Sequence, residues 1–259
     1  SVPAARRPSV AGALGTGDLV PDVVLADRAP GRDAFDFLQC RGVEDDEGAV
    51  VLPQAGEGVP AVPGELDVGE GLARHGLQLR DDFEGVIRDQ QTIGFPYVIL
   101  PWVGRESYEQ GWDQFAKELE PIAKALRERG VRFAYHNHNF EFELQNGKPG
   151  LEVFYEAADP ALVLAQIDVY WVAYAGHDPA DLIRRLKGRV PLVHLKDGRL
   201  GTGKPEFLEA GKGDVNLPAV LQACAEVGAE YGTIELDVCP QDPIESVRES
   251  FQNLKRMGL

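Results

Sequence analysis

From residue 77 onward the apolar positions alternate between short unbroken runs and helical stripes. Tyr97-Val98-Ile99-Leu100, closed by Pro101, reads as a strand buried on both faces. Phe115, Leu119, Ile122, Ala123 and Leu126 share one helical face, and Gly130 supplies the stop, which predicts one long helix over 106–129. The same reading places strands at 131–137, 162–167, 190–195 and 233–236, and helices at 82–92, 151–158, 179–186, 217–227 and 244–257. Asp178 stands at an N-cap position with Pro179 first in the helix. Strand and helix alternating at this spacing predict parallel βα units joined by crossover helices. An eight-stranded barrel needs three strands more than these, and the front segment would have to supply them; an open doubly wound sheet needs none. No GxGxxG follows a strand, so the dinucleotide-binding version of the open sheet lacks its main signature.

Residues 1–76 have a different character from residues 77–259 and are read as a separate, atypical segment. They contain no Lys, Ile, Asn, Tyr, Trp or Met, and Ala, Gly, Pro, Arg and Val make up most of them. Residues 22–25 and 48–52 are candidate short strands, and Pro21, Pro30, Pro53, Pro60 and Pro63 break up the rest. Disorder is the default expectation for such a composition. The favoured residues have GC-rich codons and most of the missing ones AT-rich codons, the pattern of a GC-rich gene read out of frame. Arg6-Arg7 precede an apolar stretch too short and interrupted for a twin-arginine export signal.

Over all 259 residues the formal net charge is −16, which argues against a nucleic-acid binder, because such proteins concentrate basic charge on one face. No apolar run is long enough for a membrane span. Cys40, Cys224 and Cys239 are odd in number and lack CxxC spacing, so neither a disulfide framework nor a thiolate zinc site is expected and a cytoplasmic location is the simplest reading.

The chemistry gathers at the carboxyl end of each strand. Strand 131–137 runs into His136-Asn137-His138-Asn139-Phe140-Glu141; strand 162–167 is followed by Asp168, Tyr170 and Trp171. Strand 190–195 carries His194, then Lys196 and Asp197; strand 233–236 carries Glu235, then Asp237. Ligands bind at this edge in parallel α/β proteins. Alternation puts His136 with His138, His194 with Lys196, and Glu235 with Asp237 on common faces. Burying so many ionisable groups unpaired costs several kcal/mol each, which one divalent cation among them relieves. Carboxylate and imidazole donors suit Mn²⁺, Co²⁺, Mg²⁺ or Zn²⁺. Each residue also has a plainer reading: Asp168 as a helix N-cap, Asp197 as a turn cap, Glu143 and Asp237 as solvated, and Tyr170, Trp171 and Tyr174 as core aromatics. Their coincidence on successive strands favours function.

Residues 133–142 (FAYHNHNFEF), 166–171 (QIDVYW) with 175–179 (AGHDP), 188–197 (GRVPLVHLKD) and 233–237 (TIELD) together resemble the sugar phosphate isomerase/epimerase family, a xylose isomerase-like branch. The resemblance covers about residues 77–259 and implies a (β/α)8 TIM barrel, incomplete or irregular over its first three βα units. It implies one divalent metal, Mn²⁺ foremost, held by Glu, Asp, His and Glu. Asp168, His194 and Glu235 match three of these positions; the first falls on His136 or Glu141, of which Glu141 is taken as the ligand. His136, His138, Trp171 and Lys196 would then face the substrate. The implied activity is isomerisation or epimerisation of a sugar or sugar derivative through an enediolate, with Glu235, Glu141, His136, His138 and Lys196 as the catalytic set. Elimination from a keto-sugar or keto-inositol is the alternative at the same site, and a truncated chain without a working site is another. The expected partner is a small-molecule sugar, with no nucleic acid or membrane, in a monomer or homodimer.

Overall fold

The computed structural model describes residues 83–239 and 241–259, together with four short strands: β1 (Ala26–Asp27), β2 (Phe37–Cys40), β3 (Ala49–Val51) and β4 (Val62–Glu65). The candidate strand at 22–25 lies outside the described residues, and the one at 48–52 is β3, paired antiparallel with β4.

Helix α1 (Phe83–Ile93) leads into β5 (Tyr97–Leu100). Then come α2 (Trp112–Glu128), β6 (Arg132–His136), the small hairpin β7 (Leu144–Gln145) and β8 (Lys148–Pro149), α3 (Gly150–Ala157) and β9 (Val163–Asp168). Two helices, α4 (Val169–Tyr174) and α5 (Pro179–Arg185), precede β10 (Leu192–His194). A hairpin of β11 (Asp197–Arg199) and β12 (Glu206–Leu208) comes next, then α6 (Leu217–Val227), β13 (Tyr231–Leu236) and α7 (Pro243–Met257). Strands β5, β6, β9, β10 and β13 pair in that order, all parallel; β2 adds parallel to β13, and β1 pairs with it antiparallel. The result is a curled parallel sheet backed by helices, part of an α/β barrel rather than a dinucleotide-binding open sheet.

The long helix expected over 106–129 is corrected at its front. Residues Arg105–Ser107 form a single 3-10 turn, and α2 begins only at Trp112. Gly111 adopts φ +118°, where side-chain-bearing residues are strained, and the Trp112 N–H donates to Gln145 Oε1 at 3.0 Å. From there the expected stripe holds: Phe115, Leu119, Ala123 and Leu126 are buried. Asp178 caps α5, accepting from the N–H groups of Ala180 and Asp181. Cys239 is disulfide-bonded while Cys224 is a free thiol, which corrects the expectation from cysteine spacing.

Two apolar clusters show how the sheet faces are used. Val98, Leu100, Phe133, Tyr135, Val163, Ala165, Ile167, Val193, Leu195, Ile234 and Leu236 pack outward with the helices. Tyr97, Ile99, Ala134 and Leu192, joined by Phe95, Leu164 and Tyr231, fill the concave face near the strand starts. Each buried side chain of this kind contributes roughly 1.5–3 kcal/mol. Two or four residues further along the same strands, the concave face is polar: His136, Gln166, Asp168, His194, Thr233 and Glu235 are all buried there.

Candidate metal centre

Each polar group on this face is held by its own strand end. His136 is the last residue of β6, and its Nδ1 lies 3.0 Å from Gln166 Oε1. A carboxamide oxygen only accepts, so Nδ1 carries the hydrogen and Nε2 presents its lone pair to the centre. Burial pushes the His136 imidazole well below the usual histidine range, leaving the neutral form a cation requires. Asp168 ends β9 and does two jobs. Its Oδ1 accepts from the Trp171 N–H at 3.0 Å, capping α4, while Oδ2 is buried and accepts no hydrogen bond. Oδ2 sits 3.9 Å from His136 Nε2, 4.0 Å from His194 Nδ1 and 3.9 Å from Lys196 Nζ. Burial raises the Asp168 carboxyl to about 7 against the pull of Lys196. Its backbone is fixed by the fully buried Asn137, whose Oδ1 accepts from the Asp168 N–H at 3.1 Å and whose Nδ2 donates to the Asp168 carbonyl at 3.4 Å.

His194 Nδ1 lies 2.5 Å from Glu235 Oε2 across β10 and β13. Ligand atoms from His136, Asp168, His194 and Glu235 all lie within 4.8 Å of one another. Lys196, just beyond β10, places Nζ 2.7 Å from Asp237 Oδ2, 3.5 Å from Glu235 Oε2 and 3.9 Å from Asp168 Oδ2. Burial opposes its charge, yet Asp237, Glu235 and Asp168 together hold the ammonium above the usual lysine range. The Trp171 and Phe207 rings flank it, with centroids 5.3 Å and 4.7 Å from Nζ.

These donors fit a divalent cation. Two imidazoles and two carboxylates with no thiolate suit a hard or borderline ion. Three carboxylates face a single ammonium here, a shortfall of two positive charges that one divalent cation closes.

Glu141, expected from the sequence as the first ligand, is not among these four clustered residues, whereas His136 is. Glu141 lies on the 3-10 turn Phe140–Phe142. Its fully buried carboxylate accepts from the Tyr135 hydroxyl at 2.8 Å and the His138 N–H at 2.9 Å, and burial raises it to about 7. The His138 ring packs between Phe140 and Trp171, 4.9 Å from the His136 ring. Trp171 is buried with its indole N–H making no hydrogen bond.

Asp197 proves to be a turn cap. It accepts from the N–H groups of Gly198, Gly211, Gly213 and Val215, closing the loop that carries the β11–β12 hairpin. Tyr170 is a fully buried core aromatic. Gln166 and Phe207 escaped the sequence reading. Alternation two residues before Asp168 signals Gln166, whereas Phe207 arrives on a hairpin that no periodicity announced.

The family model described as Xylose isomerase-like TIM barrel matches residues 74–257. The chain is 28% identical over 155 residues to an inosose dehydratase of Clostridium tetani (strain Massachusetts / E88), covering 53% of this chain and 51% of that protein. An inosose dehydratase of Mesomycoplasma hyopneumoniae is 27% identical over 193 residues, covering 66% and 64%. The chain therefore spans about half the length of the first of these relatives. Among solved structures, a sugar phosphate isomerase/epimerase from Parabacteroides distasonis superposes with a TM-score of 0.56 at 22% identity, covering 68% of this chain and 63% of that one. The probable 3-DHS dehydratase from Bacillus anthracis gives 0.53 at 12% identity, covering 74% of each; these two likenesses show the fold alone. With the family model spanning most of its length, the chain belongs to the xylose isomerase-like TIM barrel family.

Proposed function

We propose that this chain abstracts a proton from the carbon beside a carbonyl in a sugar-like hydroxy-ketone, with a divalent cation held by His136, Asp168, His194 and Glu235. The observation that carries the proposal is the convergence of those four donors within 4.8 Å, at the strand ends and beside one buried ammonium. When bound, the cation (Mn²⁺ first, then Co²⁺, Mg²⁺ or Zn²⁺) supplies Lewis-acid polarisation of a carbonyl and its neighbouring hydroxyl. Glu235 takes the proton from carbon. Lys196 offsets the negative charge that develops on oxygen. His136 is committed to the four-donor set, so His138 serves as the second acid/base. Trp171 bounds the substrate space and offers its indole N–H to a hydroxyl.

Two outcomes share this step. If His138 protonates a hydroxyl on the next carbon, its C–O bond breaks and water leaves, which is dehydration. If the proton instead returns to carbon, the product is an isomer or epimer. The relatives named inosose dehydratase favour the first outcome; the sugar phosphate isomerase/epimerase motifs favour the second. The test is incubation of Mn²⁺-loaded protein with an inosose and with ketohexoses in D₂O, followed by NMR. Deuterium should enter the carbon beside the carbonyl, and product analysis should then show water loss or inversion. Absence of both deuterium incorporation and product formation with all of these substrates would overturn the proposal.

A further inference from the structure

Strands β10 and β13 present matched pairs at two successive levels. At the lower level His194 meets Glu235, and two residues further along, just past the ends of both strands, Lys196 meets Asp237, with Nζ 2.8 Å and 2.7 Å from the two carboxylate oxygens. The same ammonium is 3.5 Å from Glu235 and 3.9 Å from Asp168, both members of the four-donor set. Lys196 is almost wholly buried, so its charge has no water to retreat to and must rest on one of these carboxylates. A lysine ammonium and a divalent cation are alternative counter-ions for Glu235 and Asp168. The flexible lysine stem spans the short difference between the two arrangements.

We infer that Asp237 is a positioning residue: it draws the Lys196 ammonium away from Glu235 and Asp168 and so leaves those two carboxylates to a divalent cation. The inference rests on the metal reading of the site above. Asp237 is itself partly exposed at the rim, so it can hold the ammonium at lower desolvation cost than the buried pair. The Trp171 and Phe207 rings flank Nζ on its Asp237-bound path and limit its other positions.

The experiment is calorimetric titration of the metal-free full chain with Mn²⁺, alongside thermal melts. Asp237→Asn should bind Mn²⁺ about tenfold or more weakly, in line with residues that support metal ligands. Asp237→Glu should return close to the parent. Lys196→Met should bind at least as tightly as the parent, and the double variant Asp237→Asn/Lys196→Met should follow Lys196→Met, because the competing ammonium is gone. Unchanged Mn²⁺ affinity in Asp237→Asn, even with a lowered melting temperature, would reduce Asp237 to a structural ion pair and overturn the inference. So would a double variant as weak as Asp237→Asn. A parent chain that takes up no Mn²⁺ would overturn the metal reading itself, and this inference with it.

Discussion

At Glu235 the two proposed roles, cation ligand and proton acceptor, meet in one carboxylate. It touches the His194 imidazole at 2.5 Å, lies 3.5 Å from the Lys196 ammonium and belongs to the four-donor cluster proposed to hold the cation. Replacing it by Gln keeps shape and one acceptor oxygen but removes both the negative charge and the proton acceptor. We expect Glu235→Gln to lower turnover by about 10³-fold or more while the circular dichroism spectrum and cooperative melt persist. Full activity in that variant would remove Glu235 from the mechanism. In the sequence Asp168, His194 and Glu235 stand out as polar residues at strand ends, and the resemblance to the sugar phosphate isomerase/epimerase family is what singles them out as ligands. The first ligand expected there is Glu141, whereas the clustered donors include His136, and Glu141 sits on a 3-10 turn with its carboxylate on Tyr135 and the His138 N–H.

Among the elements, a buried polar clasp ties α3 to β9. Arg189 forms it. It is buried between α3 and β9, donating to the carbonyls of Tyr155, Ala158 and Val163, with the guanidinium 4.8 Å from the Tyr155 ring centroid. Arg189→Met matches its bulk and leaves those carbonyls without this donor. The expected cost is about 3 kcal/mol, or roughly 6–12 °C in melting temperature for a chain of this size. A shift within about 1 °C would mean that water replaces the guanidinium without loss. The repeating units were legible as elements, with α6 falling on the expected 217–227 and α7 one residue longer than expected. The β11–β12 hairpin and short α4 were not assigned, although the caps beside them, Asp197 on the turn and Asp168 on the helix, were among the plainer readings.

Across the whole molecule several carboxylates are buried, Glu141, Asp168 and Glu235 among them, and stability must therefore depend on pH. Glu141 gives the sign. Burial lifts its folded value from 4.5 to about 7, so the folded state holds the proton more tightly than the unfolded chain. Its stabilising contribution is complete below the unfolded value and is lost as the pH rises through about 7, a change of order 3 kcal/mol. In Glu141→Gln one oxygen still accepts from the His138 N–H, and the Tyr135 hydroxyl can turn to accept from the amide. Metal-free parent should lose more stability than Glu141→Gln between about pH 5 and about pH 8, measured by urea denaturation. Parallel profiles would show that Glu141 titrates as an ordinary carboxylate.

What the sequence determined by itself was periodicity: apolar runs and stripes set the strands and helices of residues 77–259, and alternation set which side chains share a face. Both are consequences of backbone geometry repeating every two or 3.6 residues. What only the tertiary structure decided was proximity between strands, which register and curl create. The Gln166 contact that turns the His136 ring and the level at which Lys196 meets Asp237 depend on neighbours 30 and 41 residues away along the chain. No local pattern encodes those distances.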